Sequence, residues 1–136
     1  MHNYTIFDPD QKYIILPIFV SDKNGEEHLL KAILDTGAPT TEFSDEALEF
    51  LGFLDRTKHD VELKRGLQTQ KYGRITISHM DICSHHIDNL EVFVSHFEKS
   101  WGIDALIGLD FFRKFRTTID YKKGAVITEI FQSEAP

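Results

Sequence analysis

Four groups of residues in this chain are of types that can do chemistry. The first is an acidic side chain at the end of an apolar run: Ala32-Ile33-Leu34 leads into Asp35, followed by Thr36, Gly37 and Ala38. A carboxylate there is expensive to bury without partners, so it is either a turn residue or a group kept for its charge. About seventy residues later stands Ala105-Leu106-Ile107-Gly108-Leu109-Asp110-Phe111-Phe112, two large aliphatic residues followed by glycine and a short helical pattern. The second group is His79, Asp81, Cys83 and His85, which alternate and are all competent metal ligands. Met80 and Ile82 occupy the opposite phase, so the alternation is explained by the solvent side of an antiparallel strand. Same-face positions on one strand also lie ~6.6–7 Å apart, too far for all four to meet one ion. No metal and no cofactor is expected. The third is Cys83 itself, which needs a low-pKa environment and an oriented base to act as a nucleophile; no motif supplies them, and a passive thiol is expected. The fourth is any pair of carboxylates suited to glycoside hydrolysis, and nothing in the sequence pairs them.

The elements that must position these residues are short and strand-like. Residues 13–20 and 27–34 are apolar, β-rich runs flanking Asp22-Lys23-Asn24-Gly25, where Asn-Gly tolerates the positive φ of a tight reversal; this predicts a hairpin whose second strand runs straight into Asp35. Ser44 can cap a helix over residues 45–51, with acidic residues in its first turn and Gly52 just past its end. Residues 61–64 and 72–77 are candidate strands joined by a glycine-bearing tip, Arg65-Gly66-Leu67-Gln68. Met80, Ile82, Ile87, Leu90, Val92 and Val94 suggest another hairpin around Ser84-His85-His86. A second helix is predicted over residues 111–115, capped by Asp110, and residues 117–121 and 125–131 pair around Lys122-Lys123-Gly124. The cluster Phe111, Phe112 and Phe115 has helical spacing and reads as core.

With 136 residues, the chain suits one domain, able to bury about two-thirds of its unfolded surface. Hydrophobic residues make up 41% and charged residues 27%, a globular balance that argues against extensive disorder. The net charge of −7, from 22 acidic and 15 basic residues, weighs against nucleic acid, which demands clustered Lys and Arg. One cysteine excludes an internal disulfide and a cysteine zinc site. The longest apolar stretch, residues 14–20, is far short of the ~20 residues of a membrane span and contains Pro17. The first residues show neither a basic nor an apolar leader region, so a cytoplasmic protein is expected. The starting Met1 and the lack of linkers weigh against a piece of a larger polyprotein.

In order and spacing, residues 13–131 resemble the retropepsin-like aspartic proteases, single-domain and bacterial in type. The resemblance rests on Leu34-Asp35-Thr36-Gly37-Ala38, the helix after Ser44, a glycine-tipped hairpin, Leu106-Ile107-Gly108-Leu109-Asp110-Phe111-Phe112, and the closing Thr118-Ile119-Asp120-Tyr121-Lys122-Lys123-Gly124. It implies a mostly β fold, a closed acid-protease barrel with two short helices and one domain per subunit. Residues 1–12 would be an N-terminal extension and residues 132–136 a C-terminal tail. In such enzymes two carboxylates share one proton and hold a water between them, because like charges a few ångströms apart cannot both ionise cheaply. This chain carries one Asp-Thr-Gly, and neither Asp104 nor Asp110 is followed by Thr/Ser-Gly, so a twofold homodimer would supply Asp35 twice.

By the same resemblance, Asp35, Thr36 and Gly37 form the catalytic motif. Thr36 would lock the two loops across the axis, and Gly37 would bring its amide to the carboxylates. Ala38, Pro39, Gly66, Leu67, Gln68, Leu106 and Ile107 would contact substrate or support the loop, with residues 61–77 as a flap closing over an extended peptide. The implied function is an aspartic endopeptidase acting on an extended peptide or protein, with no nucleic-acid or membrane partner. The alternative is a protease-like domain that binds peptides or dimerises with little catalysis, suggested by Pro39 and by the charged tip from Lys64 to Gln68.

Overall fold

The computed structural model describes residues 2–55 and 71–131. Among these residues, nine strands and two short α-helices follow one another as β1 (His2–Ile6), β2 (Ile15–Ser21), β3 (Glu27–Leu34), β4 (Glu42–Ser44), α1 (Asp45–Phe50), β5 (Lys71–Ile82), β6 (His85–Ser95), β7 (Ala105–Ile107), α2 (Leu109–Phe112), β8 (Phe115–Asp120) and β9 (Ala125–Ile130), with a 3₁₀ turn at Lys99–Trp101 between β6 and β7. Six strands close a barrel in the order β2-β3-β7-β4-β6-β5, and β1-β9-β8 form a separate sheet. The fold is therefore the mostly β closed barrel with two short helices that the sequence led us to expect.

Local chemistry accounts for most boundaries. At the β2–β3 turn, Asp22 Oδ1 accepts the amides of Asn24 and Glu26, and Gly25 takes the left-handed φ of 86° that the reversal needs. Ser44 caps α1 by accepting the Ala47 amide at 3.0 Å. The barrel interior is filled by alternate residues: Leu16, Ile18 and Val20 of β2 are fully buried, while Pro17 and Phe19 face outward. Phe43, Ile77, Met80, Ile82, Val92, Ile107 and Phe111 complete the core, with Leu48 and Leu51 contributed by α1 and the turn after it.

Three expectations are revised. The candidate strand over residues 72–77 and the strand bearing Met80 and Ile82 are one continuous β5, paired along its length with β6. Its inward phase changes from Ile77 to Met80, and Asn89 on the facing strand adopts a positive φ of 53°. The β5–β6 turn falls at Cys83 and Ser84, with φ of 52° and 62°, one to two residues earlier than expected. The second helix spans Leu109–Phe112 with Gly108 at its N-cap, and Phe115 already belongs to β8. The expected strand at residues 61–64, the tip with Gly66, Leu67 and Gln68, and the tail at residues 132–136 lie outside the described residues. Residues 2–6, set apart in the sequence as an extension, pair with β9 from His2 opposite Glu129 to Ile6 opposite Ala125.

The sheet meets the barrel at His85, which stacks on Phe115 at a ring separation of 4.0 Å and lies 2.8 Å from the hydroxyl of the buried Thr128. Burial holds its imidazole below the ordinary value, so the unfolded chain binds a proton there more readily than the folded one. The resulting stability is complete above the unfolded value of about 6.5 and is lost as the pH falls through and below it. We expect the melting temperature to drop more steeply between pH ~7.5 and ~5.5 in the wild type than in His85→Gln. Parallel slopes would show that another group is responsible.

Candidate active site

Strands β3 and β7 run parallel, with Ala32 opposite Ala105, Ile33 opposite Leu106 and Leu34 opposite Ile107. The two sequence motifs therefore leave the barrel side by side. The Asp35 amide donates to the Ile107 carbonyl at 2.9 Å, extending the ladder by one bond and fixing where the acidic residue emerges. Beyond it the chain turns sharply: the Gly37 amide donates to Asp35 Oδ1 at 3.0 Å and the Ala38 amide to the Asp35 carbonyl at 3.1 Å. A Cβ on Gly37 would stand 3.3 Å from that same Oδ1, crowding the carboxylate it serves. Among the described residues, the half-buried Asp35 is thus held through Oδ1 by a backbone amide.

Behind this turn lies Gly108. A side chain there would meet the carbonyl oxygens of Ala38 and Thr40 at 2.7 Å, so the two segments pass at a distance only glycine allows. The Leu109 amide donates to the Ala38 carbonyl at 2.8 Å. Thr41, fully buried, joins the segments from inside: its hydroxyl donates to Asp110 Oδ1 at 2.7 Å and accepts the Gly108 amide at 3.2 Å, while its own amide donates to Asp110 Oδ2 at 2.9 Å. Asp110 is thereby a scaffold residue, and Asp104 likewise accepts the Lys31 amide at 2.9 Å.

A cleft of about 640 Å³ opens in front of Asp35, lined by Lys12, Tyr13, Ile33, Leu34, Ser100, Trp101, Ile103 and Leu106. Asp35 is the one carboxylate among the described residues that line it. Of the residues singled out in the sequence, Thr36, Gly37 and Pro39 are exposed beside Asp35, and Ala38 is half-buried against Gly108. Leu106 faces the cleft. Ile107, grouped with it at the substrate, is fully buried in the core and reaches the site through its carbonyl. The sequence reasoning missed Thr41 as the internal tie and Tyr13, Ser100, Trp101 and Ile103 as cleft walls. Cys83 is buried, and burial pushes its thiol above the ordinary value, the opposite of what a nucleophile needs.

A sequence profile described as "gag-polyprotein putative aspartyl protease" matches residues 22–114. The chain belongs to this aspartyl protease family. A search of curated protein sequences finds no match. Among solved structures, the chain is similar to a retropepsin-like aspartic protease from Rickettsia conorii, with a TM-score of 0.65 and 21% identity over 94% of this chain and 89% of the other. It is also similar to the retroviral protease-like domain of Ddi1 from Leishmania major, with a TM-score of 0.60 and 19% identity over 92% of this chain and 98% of that domain. These likenesses establish a retropepsin-like fold for this family member.

In this member of the aspartyl protease family, Thr41 carries the join between the two motifs. Thr41→Val keeps the shape but leaves the Gly108 amide and an Asp110 oxygen without their partner, and is expected to cost about 1–3 kcal/mol. Urea unfolding monitored by circular dichroism measures this, and a loss under ~0.5 kcal/mol would show that the hydroxyl contributes little.

Proposed function

We propose that this protein is an aspartic endopeptidase that works as a homodimer, each subunit contributing Asp35 to one shared site. The observation carrying this reading is that, among the described residues, the cleft presents a single carboxylate, held by the Gly37 amide at the open end of the β3–β7 pair. Hydrolysis by a carboxylate-activated water requires one ionised group as general base and one protonated group to polarise the scissile carbonyl. A second copy of Asp35 provides the missing partner, and the two then titrate as a coupled pair sharing one proton. In this reading Thr36, exposed and adjacent in the turn, meets its counterpart across the axis.

The cleft walls support the choice of substrate. Ile33, Leu34, Ile103 and Leu106 offer aliphatic surface and Tyr13 and Trp101 aromatic surface, which suits an extended peptide with apolar side chains beside the cut bond. In the proposed cycle the water attacks the carbonyl carbon, its proton passes to the ionised carboxylate, and the amine leaves with a proton from the dyad. A second reading, peptide binding without cleavage, has Pro39 in its favour: it is exposed directly after Ala38 and has no N–H to offer a substrate backbone.

Asp35→Asn is expected to abolish cleavage of a peptide library across mildly acidic to neutral pH, while circular dichroism and the solution mass match the wild type. Turnover retained in a clean preparation of the variant rules out the dyad. A wild-type protein that is strictly monomeric at micromolar concentration, or that binds peptides and leaves them intact, favours the second reading.

A further inference from the structure

We propose that the outward face of the β5–β6 hairpin binds a transition-metal dication of the zinc type through His79 Nδ1, His86 Nε2 and the Asp88 carboxylate, with Asp81 orienting His86. The site stands apart from the proposed catalytic chemistry. It comes from cross-strand register, which spacing along one strand does not reveal. His79 lies directly opposite Asp88, and Asp81 opposite His86, so four polar side chains occupy successive same-face rungs of one antiparallel ladder, with the Met80–Ile87 pair between them. Met80 and Ile82, which alternate with them, are buried in the barrel core and hold the backbone beneath.

The donor atoms already converge. Asp88 Oδ1 lies 2.6 Å from His79 Nδ1 and 2.9 Å from His86 Nε2, and the three ligand atoms fall within 4.8 Å of one another. Zinc lengths of about 2.0–2.2 Å to nitrogen and oxygen place tetrahedral donors roughly 3.3 Å apart, which small side-chain rotations reach. The two imidazoles stack, with ring centres 5.4 Å apart, so both rings present an edge to the same point. The other nitrogen of His86 meets Asp81 Oδ1 at 2.9 Å. That is the arrangement in which a carboxylate fixes the tautomer and direction of a metal-bound imidazole. Imidazole with carboxylate favours zinc, nickel or copper over magnesium or calcium, which take oxygen ligands. All four side chains are open to solvent, so an ion can reach them. A second trio, Asp22, Glu26 and His28, is a weaker candidate, because Asp22 Oδ1 is engaged by the amides of the turn.

The test is calorimetric titration of zinc chloride into tag-free, chelator-treated protein, with circular dichroism confirming the fold of each variant. Saturable binding of one ion per chain is expected, weakened at least tenfold by His79→Ala and by His86→Ala. Asp81→Asn is expected to weaken it by 10- to 100-fold, and His28→Ala to leave it unchanged. Absence of saturable binding up to millimolar zinc overturns the proposal. So does an affinity unaltered by His79→Ala or His86→Ala, or one that is lost in His28→Ala.

Discussion

One backbone hydrogen bond, from the Asp35 amide to the Ile107 carbonyl, sets the position on which the site depends. It extends a parallel ladder whose residues are buried or half-buried, so the carboxylate emerges at the rim of a packed core. A group held this way loses little entropy when it acts, since packing has already fixed its strand. The same bond explains why two motifs seventy residues apart must both be present: β3 delivers the acidic residue and β7 supplies the floor on which its turn rests.

The turn is kept open from behind by the absence of side chains and closed from inside by one hydroxyl. Gly108 lets the Ala38 and Thr40 carbonyls approach, and Thr41 converts that approach into hydrogen bonds by bridging the Gly108 amide and the Asp110 carboxylate. Asp110 is thereby consumed by structure, which leaves Asp35 as the one carboxylate lining the cleft among the described residues. Two aspartates of the same intrinsic chemistry thus differ in role because one is surrounded by donors of its own chain and the other faces a cavity.

Much of this was legible in the residues, for reasons that are local. The Asn24-Gly25 turn, the Ser44 cap with Gly52 beyond it, and the Gly124 reversal each depend on chemistry within a few residues, and each lies where the pattern puts it. β5 was harder, because a period-two reading divides it where the inward phase changes between Ile77 and Met80. The helix after Gly108 was shorter than its phenylalanine spacing suggests, since Phe115 packs on His85 from a strand. The Thr41–Asp110 tie joins residues far apart in sequence and leaves no local trace. The outward His and Asp cluster needed the pairing of β5 with β6, which spacing along either strand alone conceals.

The pairing of β1 with β9 reaches beyond the finished molecule. β1 has as its partner a strand made more than a hundred residues later, His2 facing Glu129. Until β9 has been made, β1 has no ladder to join, and Thr5, buried in the finished sheet, stays open to water. Closing so long a loop is entropically slow and comes late, after the local hairpins have formed. The small sheet is thus a seal applied after the barrel strands have been made.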